Sequence, residues 1–368
     1  MKRLKCNIWK YAPRFSAVFA AVSVLSAAIN IAYANNARFA DFFNERISCH
    51  VRRALAYLTS VIPFSLAEVL LLSCPVVIYL ILHVCAEKSK KNELAYTRCL
   101  LGLLSIVMLL YSLFVWSFGA GYKTSSLDKK LGLTRKDVSA EELYDTLNFV
   151  TDRLNELDGE IIYVKEKGSV RPYSHSENVK LCFESYGVIK EKYSFIDNFY
   201  VPVKQLSVSD IMTYTHISGV YSFFTGEANL NTNYPYFVNV YTTAHEMAHQ
   251  RGIAREDEAN FIAYLVCINS DDPYMRYSGY LNMYEYLGDA LYEASPELYK
   301  EAAVRLNMNA RYDLSCYSEF FDKYRKSTAA KVSDAVNNTY LKIQGTPGTK
   351  SYGMVVDLAV AYYEEAAE

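Results

Sequence analysis

The stretch Thr242-Thr243-Ala244-His245-Glu246-Met247-Ala248-His249-Gln250-Arg251-Gly252 decides how the rest of the chain is interpreted. It contains His-Glu-x-x-His, which is typical of zinc metallopeptidases when a helix carries it. Because residues four apart on an α-helix share one face, His245 and His249 can present their imidazole nitrogens to one ion. Zinc lowers the pKa of a bound water to about 7, and Glu246 is placed to take a proton from that water. The stretch therefore predicts a zinc-dependent hydrolytic site with Glu246 as general base.

The residues after the motif predict a turn and a second helix. Gly252 stands where a helix would end in a left-handed cap. An amphipathic run follows over 254–267, with its acidic residues in the first turn, where the helix dipole favours them. This arrangement would bring a carboxylate back to the two histidines, and catalytic zinc requires a third protein ligand.

Three neighbouring acidic residues are candidates for that ligand: Glu256, Asp257 and Glu258. The metzincin pattern would place a histidine at position 255, where this chain has arginine, so that class is excluded. We expect Glu258 to be the ligand, because the small and polar residues Ala259 and Asn260 allow a close approach to the motif helix. Glu256, four positions before Asn260, would then contact a ligand without binding the metal itself.

Segments on both sides of the motif carry a resemblance to a known family. They are Ile217 to Asn231, His245 to Cys267, Tyr340 to Lys342 and Ser351 to Gly353. With the apolar N-terminal runs described next, they resemble a bacterial domain-of-unknown-function family of multi-pass membrane proteins identified as gluzincin-type zinc metallopeptidases. The resemblance covers nearly the whole chain. It implies a zincin-like peptidase domain with one catalytic zinc ion. Glu-Ala-Asn segments in a related soluble peptidase group support Glu258 as a ligand by analogy.

Three long apolar runs occupy the first third of the 368-residue chain, at about 15–34, 58–84 and 100–118. Each is long enough to cross a membrane as a helix of roughly 20 residues, and a signal peptide would explain only the first. We therefore predict a membrane-anchored α+β protein. Residues 1–118 would form a membrane domain with three transmembrane helices, and 119–368 a mainly helical, zincin-like catalytic domain with a small sheet.

The orientation in the membrane rests on basic residues. They are equally numerous on the two sides of the predicted helices, but the N-terminal flank is wholly basic, with Lys2, Arg3, Lys5, Lys10 and Arg14. Because the first helix usually dominates, we expect the N-terminus in the bacterial cytoplasm and the catalytic domain on the extracytoplasmic side. The net charge of −2 gives no electrostatic reason to expect a nucleic acid partner.

Glu68 and the cysteines are expected to have structural roles. Glu68 is the one carboxylate in the second run, and we favour a structural role for it, facing other helices in a protonated or hydrogen-bonded form. The eight cysteines show no metal-binding or disulfide-framework spacing and are expected to be buried as small hydrophobic residues.

Several elements surround the motif in the predicted catalytic domain. A helix over 138–157 begins with a capping box formed by Ser139 and Glu142. An edge strand at 220–224 could add a substrate backbone as a further strand, and a turn-rich loop at 226–235 would lead to the site. The region 313–336 is predicted to form one long helix.

Further side chains are candidates for the substrate cleft. Glu227 and Asn229 could line it, although turn formation explains them equally well. A donor for the oxyanion of a tetrahedral intermediate could be His216, Tyr241, Tyr312 or Tyr352, and structural roles compete for each.

The predicted function is hydrolysis of amide bonds in a peptide or protein by a membrane-anchored zinc metallopeptidase; no particular protein partner is indicated. The alternative is a non-catalytic, membrane-anchored module that contains zinc and binds peptides or cell-wall fragments. Glu246 argues against that alternative, because a structural zinc site needs no base. A protease acting within the membrane is disfavoured, since the motif lies well after the last apolar run.

Overall fold

The computed structural model describes residues 13–90, 94–165 and 167–367. Lys2, Arg3, Lys5 and Lys10, on which the predicted orientation partly rests, lie outside these ranges. The described residues are mainly helical, and the α-helices are α1 Arg14–Ala34, α2 Ala37–Phe43, α3 Cys49–Ser60, α4 Leu66–Ser89, α5 Leu94–Ser117, α6 Leu127–Leu131, α7 Ala140–Leu157, α8 His175–Lys192, α9 Ser209–Met212, α10 Tyr236–Gln250, α11 Glu256–Ile268, α12 Pro273–Ala294, α13 Pro296–Ala303, α14 Met308–Asp322, α15 Thr328–Ile343 and α16 Val355–Ala367.

Three of these helices, α1, α4 and α5, are long and apolar enough to cross a membrane, with mean hydropathies of 2.0, 2.5 and 2.4. Polar side chains join them, for example where Ser23 Oγ donates to the Met108 carbonyl at 2.9 Å. The second span begins at Leu66 rather than at the predicted residue 58. The reason is local: Pro63 lies in the preceding turn, and Ser65 caps α4 by accepting a hydrogen bond from the Glu68 amide at 3.0 Å.

Helix α3 contacts the sheet and takes no part in the second span. It continues from α2 through one π-helical turn, Asn44–Ser48. The Thr59 hydroxyl donates to the Thr225 carbonyl at 3.2 Å, and the Lys204 ammonium donates to the Thr59 carbonyl, also at 3.2 Å. The segment between the first two apolar helices is therefore packed into the C-terminal part of the chain.

A three-stranded sheet lies beside α3, formed by β3 Lys204–Gln205, β4 Gly219–Ser222 and β5 Glu227–Leu230. The order is β3-β5-β4; β5 pairs in parallel with β3 and antiparallel with β4, so that Gly219 lies opposite Leu230. The predicted edge strand is confirmed as β4. The predicted loop at 226–235 is wrong in its first part, because β5 is a fully buried central strand. A second sheet pairs β1 Tyr163–Val164 with β2 Gly168–Ser169.

The main apolar core lies between the later helices, chiefly α7, α8, α10, α11, α12 and α16. The predicted capping box of α7 is confirmed, with the Ser139 side chain and the Glu142 carboxylate each accepting from the other residue's amide. The predicted helix over 313–336 is wrong, since the chain breaks between α14 and α15. Ser327 starts the second helix by accepting hydrogen bonds from the amides of Ala329 and Ala330.

Glu68 has a structural role, as expected, but its partners differ from those expected. Its carboxylate accepts hydrogen bonds from the Ser207 amide at 3.1 Å, the Ser207 hydroxyl at 2.8 Å and the Val208 amide at 2.9 Å. It therefore fixes the loop after β3 to the first turn of α4 and does not face the other apolar helices. Of the described cysteines, Cys49, Cys99, Cys182 and Cys267 are buried, whereas Cys74 is exposed, and all are free thiols.

Candidate metal centre

The motif helix α10 ends in a turn that reverses the chain. Gly252 adopts φ +94°, the left-handed conformation expected of it. Its amide donates to the His249 carbonyl at 2.9 Å, and the Ile253 amide donates to the Ala248 carbonyl at 3.1 Å. These two bonds are those of a Schellman motif, and they direct α11 back along α10.

Residues from outside the motif hold this turn in place. The Arg52 guanidinium donates to the Arg251 carbonyl at 3.2 Å and to the Ser117 carbonyl at 2.7 Å. The Asn44 side-chain amide donates to the Gly252 carbonyl at 3.1 Å. Arg52 is 1% exposed, so the carbonyl groups that follow α10 are hydrogen-bonded inside the protein. The donors are side chains of the segment between the first two apolar helices.

The turn brings together three side chains, His245, His249 and Glu256. Glu256 Oε2 lies 3.3 Å from Nε2 of His245 and 3.3 Å from Nε2 of His249. The two imidazole rings are perpendicular, with centroids 4.6 Å apart. All three potential ligand atoms lie within 4.8 Å of one another, and all three residues are buried. These side chains could hold one metal ion.

The expectation that Glu258 completes this cluster is corrected by its contacts. The Glu258 carboxylate accepts hydrogen bonds from the Leu127 amide at 2.9 Å and from Arg255 Nη1 at 2.8 Å. Two helical positions correspond to a rotation of about 200°, so Glu256 and Glu258 face opposite sides of α11. Asp257 is also engaged elsewhere, with Arg135 at 3.0 Å. Glu256 therefore occupies the place predicted for Glu258.

The hydrogen bond on the far side of the His249 ring fixes its orientation. His249 Nδ1 lies 2.8 Å from the Ile253 carbonyl, which is a hydrogen-bond acceptor. Nδ1 therefore carries a proton, and Nε2 faces Glu256 and His245. Nδ1 of His245 is buried and has no partner among the described residues.

The charges in the cluster compensate one another. Burial alone would raise the pKa of Glu256, but the two histidines hold it below its usual range. Burial alone would lower the pKa of His249, yet the neighbouring Glu256 carboxylate raises it to about 9. Burial and the charge of His249 lower the pKa of His245. Burial raises the pKa of the Glu246 carboxyl to about 8. The charge of Glu256 is thus compensated chiefly by His249, and no lysine or arginine in the described part of the chain forms an ion pair with it.

Glu246 faces strand β4 at very close range. A Cβ atom on Gly219 would lie 2.6 Å from Glu246 Oε1 and 2.7 Å from Thr242 Cγ2, so a side chain at this position would force Glu246 and Thr242 to shift. The other carboxylate oxygen of Glu246, Oε2, is buried and has no hydrogen-bond partner among the described residues. An unsatisfied buried carboxylate oxygen beside the cluster is unusual and marks a position where a ligand or water is expected.

A cavity of about 930 Å³ opens onto this cluster. Its walls are α10, β4, α12, α15 and the 3₁₀ helix Gly348–Met354. Five carboxylates line it, and among the described residues no lysine or arginine does. The aromatic residues of its lining are Phe118, Tyr122, Tyr221, Phe223, Tyr234, Tyr241, Tyr286, Tyr317, Phe321, Tyr340 and Tyr352.

Three of the predicted cleft residues do line this cavity: His216, Tyr241 and Tyr352. His216 Nε2 lies 2.9 Å from the Tyr324 carbonyl, and the Tyr241 hydroxyl donates to the Asn260 carbonyl at 2.7 Å, so both are already engaged. The Tyr352 hydroxyl accepts a hydrogen bond from Asn337 at 3.2 Å and keeps its own proton to donate. Tyr312 is not part of the lining.

Glu227 and Asn229 lie on β5, away from the cavity lining, which corrects the expectation that they form part of the cleft. The Glu227 carboxylate accepts hydrogen bonds from the Leu66 amide at 3.1 Å and the Ala67 amide at 2.8 Å and so caps α4. The Asn229 side chain donates to the Val220 and Glu227 carbonyls, each at 3.1 Å. Both side chains stabilise the sheet and its junction with α4.

Several cavity residues that come from distant parts of the chain could not be predicted from the sequence. They include Tyr122 after α5, Glu285, Tyr286 and Asp289 on α12, and Tyr340 on α15. No local pattern connects these positions. The one available signal is on α12, where Glu285 and Asp289 stand four apart and so share a helix face.

The comparisons with known proteins identify a family. The model of one family, described as "Protein of unknown function (DUF3810)", matches residues 43–360. The chain belongs to this family. The match includes α3, α4 and α5 as well as the motif helix and the cavity. No curated protein and no solved structure matches the chain.

Proposed function

We propose that this protein is a membrane-anchored, zinc-dependent metallopeptidase with a zincin-like catalytic domain. The observation that carries the proposal is the convergence of His245, His249 and Glu256 beside Glu246, at the floor of an open cavity. A structural zinc site is closed by protein ligands, whereas a catalytic site has three of them and an open position.

The donor set fits zinc in type and in spacing. Two imidazoles and one carboxylate are a ligand set found in zinc peptidases. Four ligands placed tetrahedrally at about 2.0–2.1 Å from zinc lie about 3.3 Å from one another. Both imidazole nitrogens lie 3.3 Å from Glu256 Oε2, so two of the three pairs agree with that spacing, and all three atoms lie within 4.8 Å of one another. The Ile253 carbonyl supplies the second-shell acceptor that orients His249.

Zinc bound here would supply a Lewis acid that polarises a substrate carbonyl and lowers the pKa of water to about 7. Glu246 takes a proton from the attacking water and passes it to the leaving amine. Its unpartnered Oε2 is available for both transfers. Tyr352 is the best placed of the predicted oxyanion donors, because its hydroxyl proton is not engaged by the Asn337 contact.

The edge strand β4 is proposed to hold the substrate backbone. Its residues Gly219, Val220 and Tyr221 line the cavity next to Glu246, and within the described residues the strand pairs only with β5. An extended peptide could add to the free side as a further strand. This mode of binding would place a backbone amide near Glu246, which favours peptides or proteins as substrates.

The proposed location is a bacterial cytoplasmic membrane, with the catalytic domain on the extracytoplasmic side. The end of α5, where the Ser117 hydroxyl donates to the Phe223 carbonyl at 3.2 Å, adjoins the sheet. The start of α4 adjoins it as well, through Glu227. The sheet and the metal-binding residues therefore belong to one side of the apolar helices, and the basic N-terminal flank favours the other side as cytoplasmic.

Metal analysis of the full-length protein in detergent tests this proposal. We expect one zinc per chain in the wild type and at least tenfold weaker zinc binding in Glu256→Gln, because the variant removes an anionic ligand. Glu258→Gln is the matched control; it lies two positions away and should keep full zinc. Glu246→Gln should keep zinc and lose hydrolysis of a peptide library. Zinc lost in Glu258→Gln and kept in Glu256→Gln would overturn the assignment. Zinc binding without hydrolysis by the wild type would favour the non-catalytic module.

A further inference from the structure

The cavity has a second group of carboxylates outside the metal-binding cluster. Glu285 and Asp289 lie on α12 and Asp334 on α15, and all three line the cavity. None of them forms an ion pair with a described lysine or arginine. The wall of the cavity is therefore acidic and uncompensated beyond the residues proposed to bind zinc.

Two members of this group, Glu285 and Asp289, lie on the same helix and influence each other electrostatically. They stand at positions i and i+4 of α12, so their side chains share one face of the helix, an arrangement that is unfavourable for like charges. Burial, followed by the charge of Asp289, raises the pKa of the half-buried Glu285 carboxyl to about 8. A cation bound between the two side chains would remove this repulsion.

The surroundings of the pair suit an organic cation. Asn282, 9% exposed and one turn before Glu285, uses its Nδ2 to donate to the Ser278 carbonyl at 2.8 Å, which leaves its side-chain oxygen as an acceptor at the cavity. Tyr286 and Tyr317 add aromatic surface, which attracts ammonium and guanidinium groups. Calcium would need six to eight oxygen ligands, and this pair offers too few.

Two side-chain interactions link the neighbourhood of the pair to the proposed metal-binding residues. Tyr286, the residue after Glu285, interacts with the Asn260 side chain. Asn260 in turn interacts with His245. A substrate residue next to the bond presented to Glu246 could therefore extend to Glu285.

We propose that Glu285 and Asp289 form a subsite for a cationic group of the substrate, namely a lysine or arginine side chain or a terminal ammonium. The inference rests on the proposed peptidase function, because it names the substrate class of the same cavity. It predicts that peptides carrying a positive charge bind better than neutral peptides of equal length.

Peptide binding to the full-length Glu246→Gln protein in detergent tests this inference without depending on turnover. The probes are acetyl-Ala-Ala-Xaa-Ala-Ala-amide peptides in which Xaa is lysine, norleucine or glutamate, titrated by calorimetry. We expect the lysine peptide to bind about tenfold more tightly than the norleucine peptide, and the glutamate peptide most weakly. Adding Glu285→Gln and Asp289→Asn should remove the lysine preference and leave norleucine binding unchanged.

Glu293→Gln is the matched control, because Glu293 lies on α12 one turn beyond Asp289 and outside the cavity lining. It should keep the preference. Equal affinities for lysine and norleucine, or no binding of the lysine peptide, would overturn the inference. If the wild type cleaves both peptides equally well, the peptidase proposal stands and the subsite fails. If lysine is preferred in binding but the wild type cleaves nothing, the subsite stands and the peptidase proposal fails.

Discussion

At the scale of single residues, Gly252 determines where His245, His249 and Glu256 meet. Its φ of +94° forms the turn between α10 and α11, and the carbonyl of the same residue accepts from Asn44. A side chain here would overlap the guanidinium of Arg52. The residue is thus constrained by its backbone conformation and by the space next to it.

Replacing Gly252 by alanine should destabilise the protein through both constraints. The left-handed conformation costs a residue with a Cβ atom about 1–2 kcal/mol, and forcing Arg52 to move should add about 1–3 kcal/mol. Gly132→Ala is the control, since Gly132 has φ +80° but no atom within 4 Å of the place that a Cβ would occupy. In thermal unfolding of the two full-length variants, the melting temperature should fall further for Gly252→Ala than for Gly132→Ala. Equal decreases would mean that contact with Arg52 is unimportant.

The two histidines and Glu246 of the candidate metal centre could be predicted more reliably than the acidic residue that joins them. His245, Glu246 and His249 follow from helical spacing alone. The choice between Glu256 and Glu258 depends on which face of α11 is turned towards α10. That is decided by Leu127 and Arg255, which hold Glu258 on the other side. Leu127 lies 131 residues before Glu258 in the sequence, so no local pattern shows which face of α11 is turned towards α10.

At the scale of secondary-structure elements, α3 is attached to the C-terminal part by an ion pair as well as by hydrogen bonds. Arg53 Nε donates to Asp197 Oδ2 at 2.9 Å, and Arg53 Nη2 pairs with Oδ1. Burial alone would raise the pKa of Asp197, but the hydrogen bonds from Arg53 hold it below its usual range. The pair therefore links the docking of α3 to pH.

The sign of this effect follows from the lowered pKa of Asp197. A carboxylate with a lowered pKa contributes stability above its unfolded pKa, about 3.9, and loses that contribution as the pH falls through the folded value. Asp197→Asn should therefore melt at a lower temperature than the wild type at pH 5.5. The difference between the two melting temperatures should shrink as the pH falls below about 4. A difference that stays constant down to pH 3 would contradict this account.

Elements with a clear amphipathic pattern and a capping signal, such as α7, could be predicted closely. Strand β5 could not, because its polar residues Glu227 and Asn229 suggested a turn. Their polar groups are satisfied by α4 and by neighbouring backbone carbonyls, so burial is possible in spite of polarity. The break between α14 and α15 is hard to predict for a different reason. The helical pattern of the sequence continues across the position where Ser327 caps α15.

At the scale of the whole molecule, the apolar helices and the candidate metal centre are joined by direct contacts. Glu68 and Glu227 join α4 to the loops and strands of the C-terminal part, and Arg52 joins α3 to the end of α10. The family match begins at residue 43 and so includes these contacts. The predicted division at residue 118 would separate them.

A fragment comprising residues 119–368 should therefore be much less stable than the full chain. It would leave the Arg251 and Gly252 carbonyls without Arg52 and Asn44, and buried polar groups that lose their partners cost about 1–3 kcal/mol each. Comparison of melting temperature and zinc content between the fragment and the detergent-solubilised full chain checks this. A fragment with the melting temperature and zinc content of the full chain would show two independent domains.

The contact between Arg52 and Arg251 can form only late in the synthesis of the chain. Arg52 is made 199 positions before Arg251, whose carbonyl it binds. At about 5–20 residues per second, the ribosome needs about 10–40 s to cover that distance. During this interval the guanidinium lacks an acceptor that it has in the finished protein. A chain released before position 251 would still offer the guanidinium Asn44 and the Ser117 carbonyl, but it would lack the acceptor that joins α3 to the end of α10.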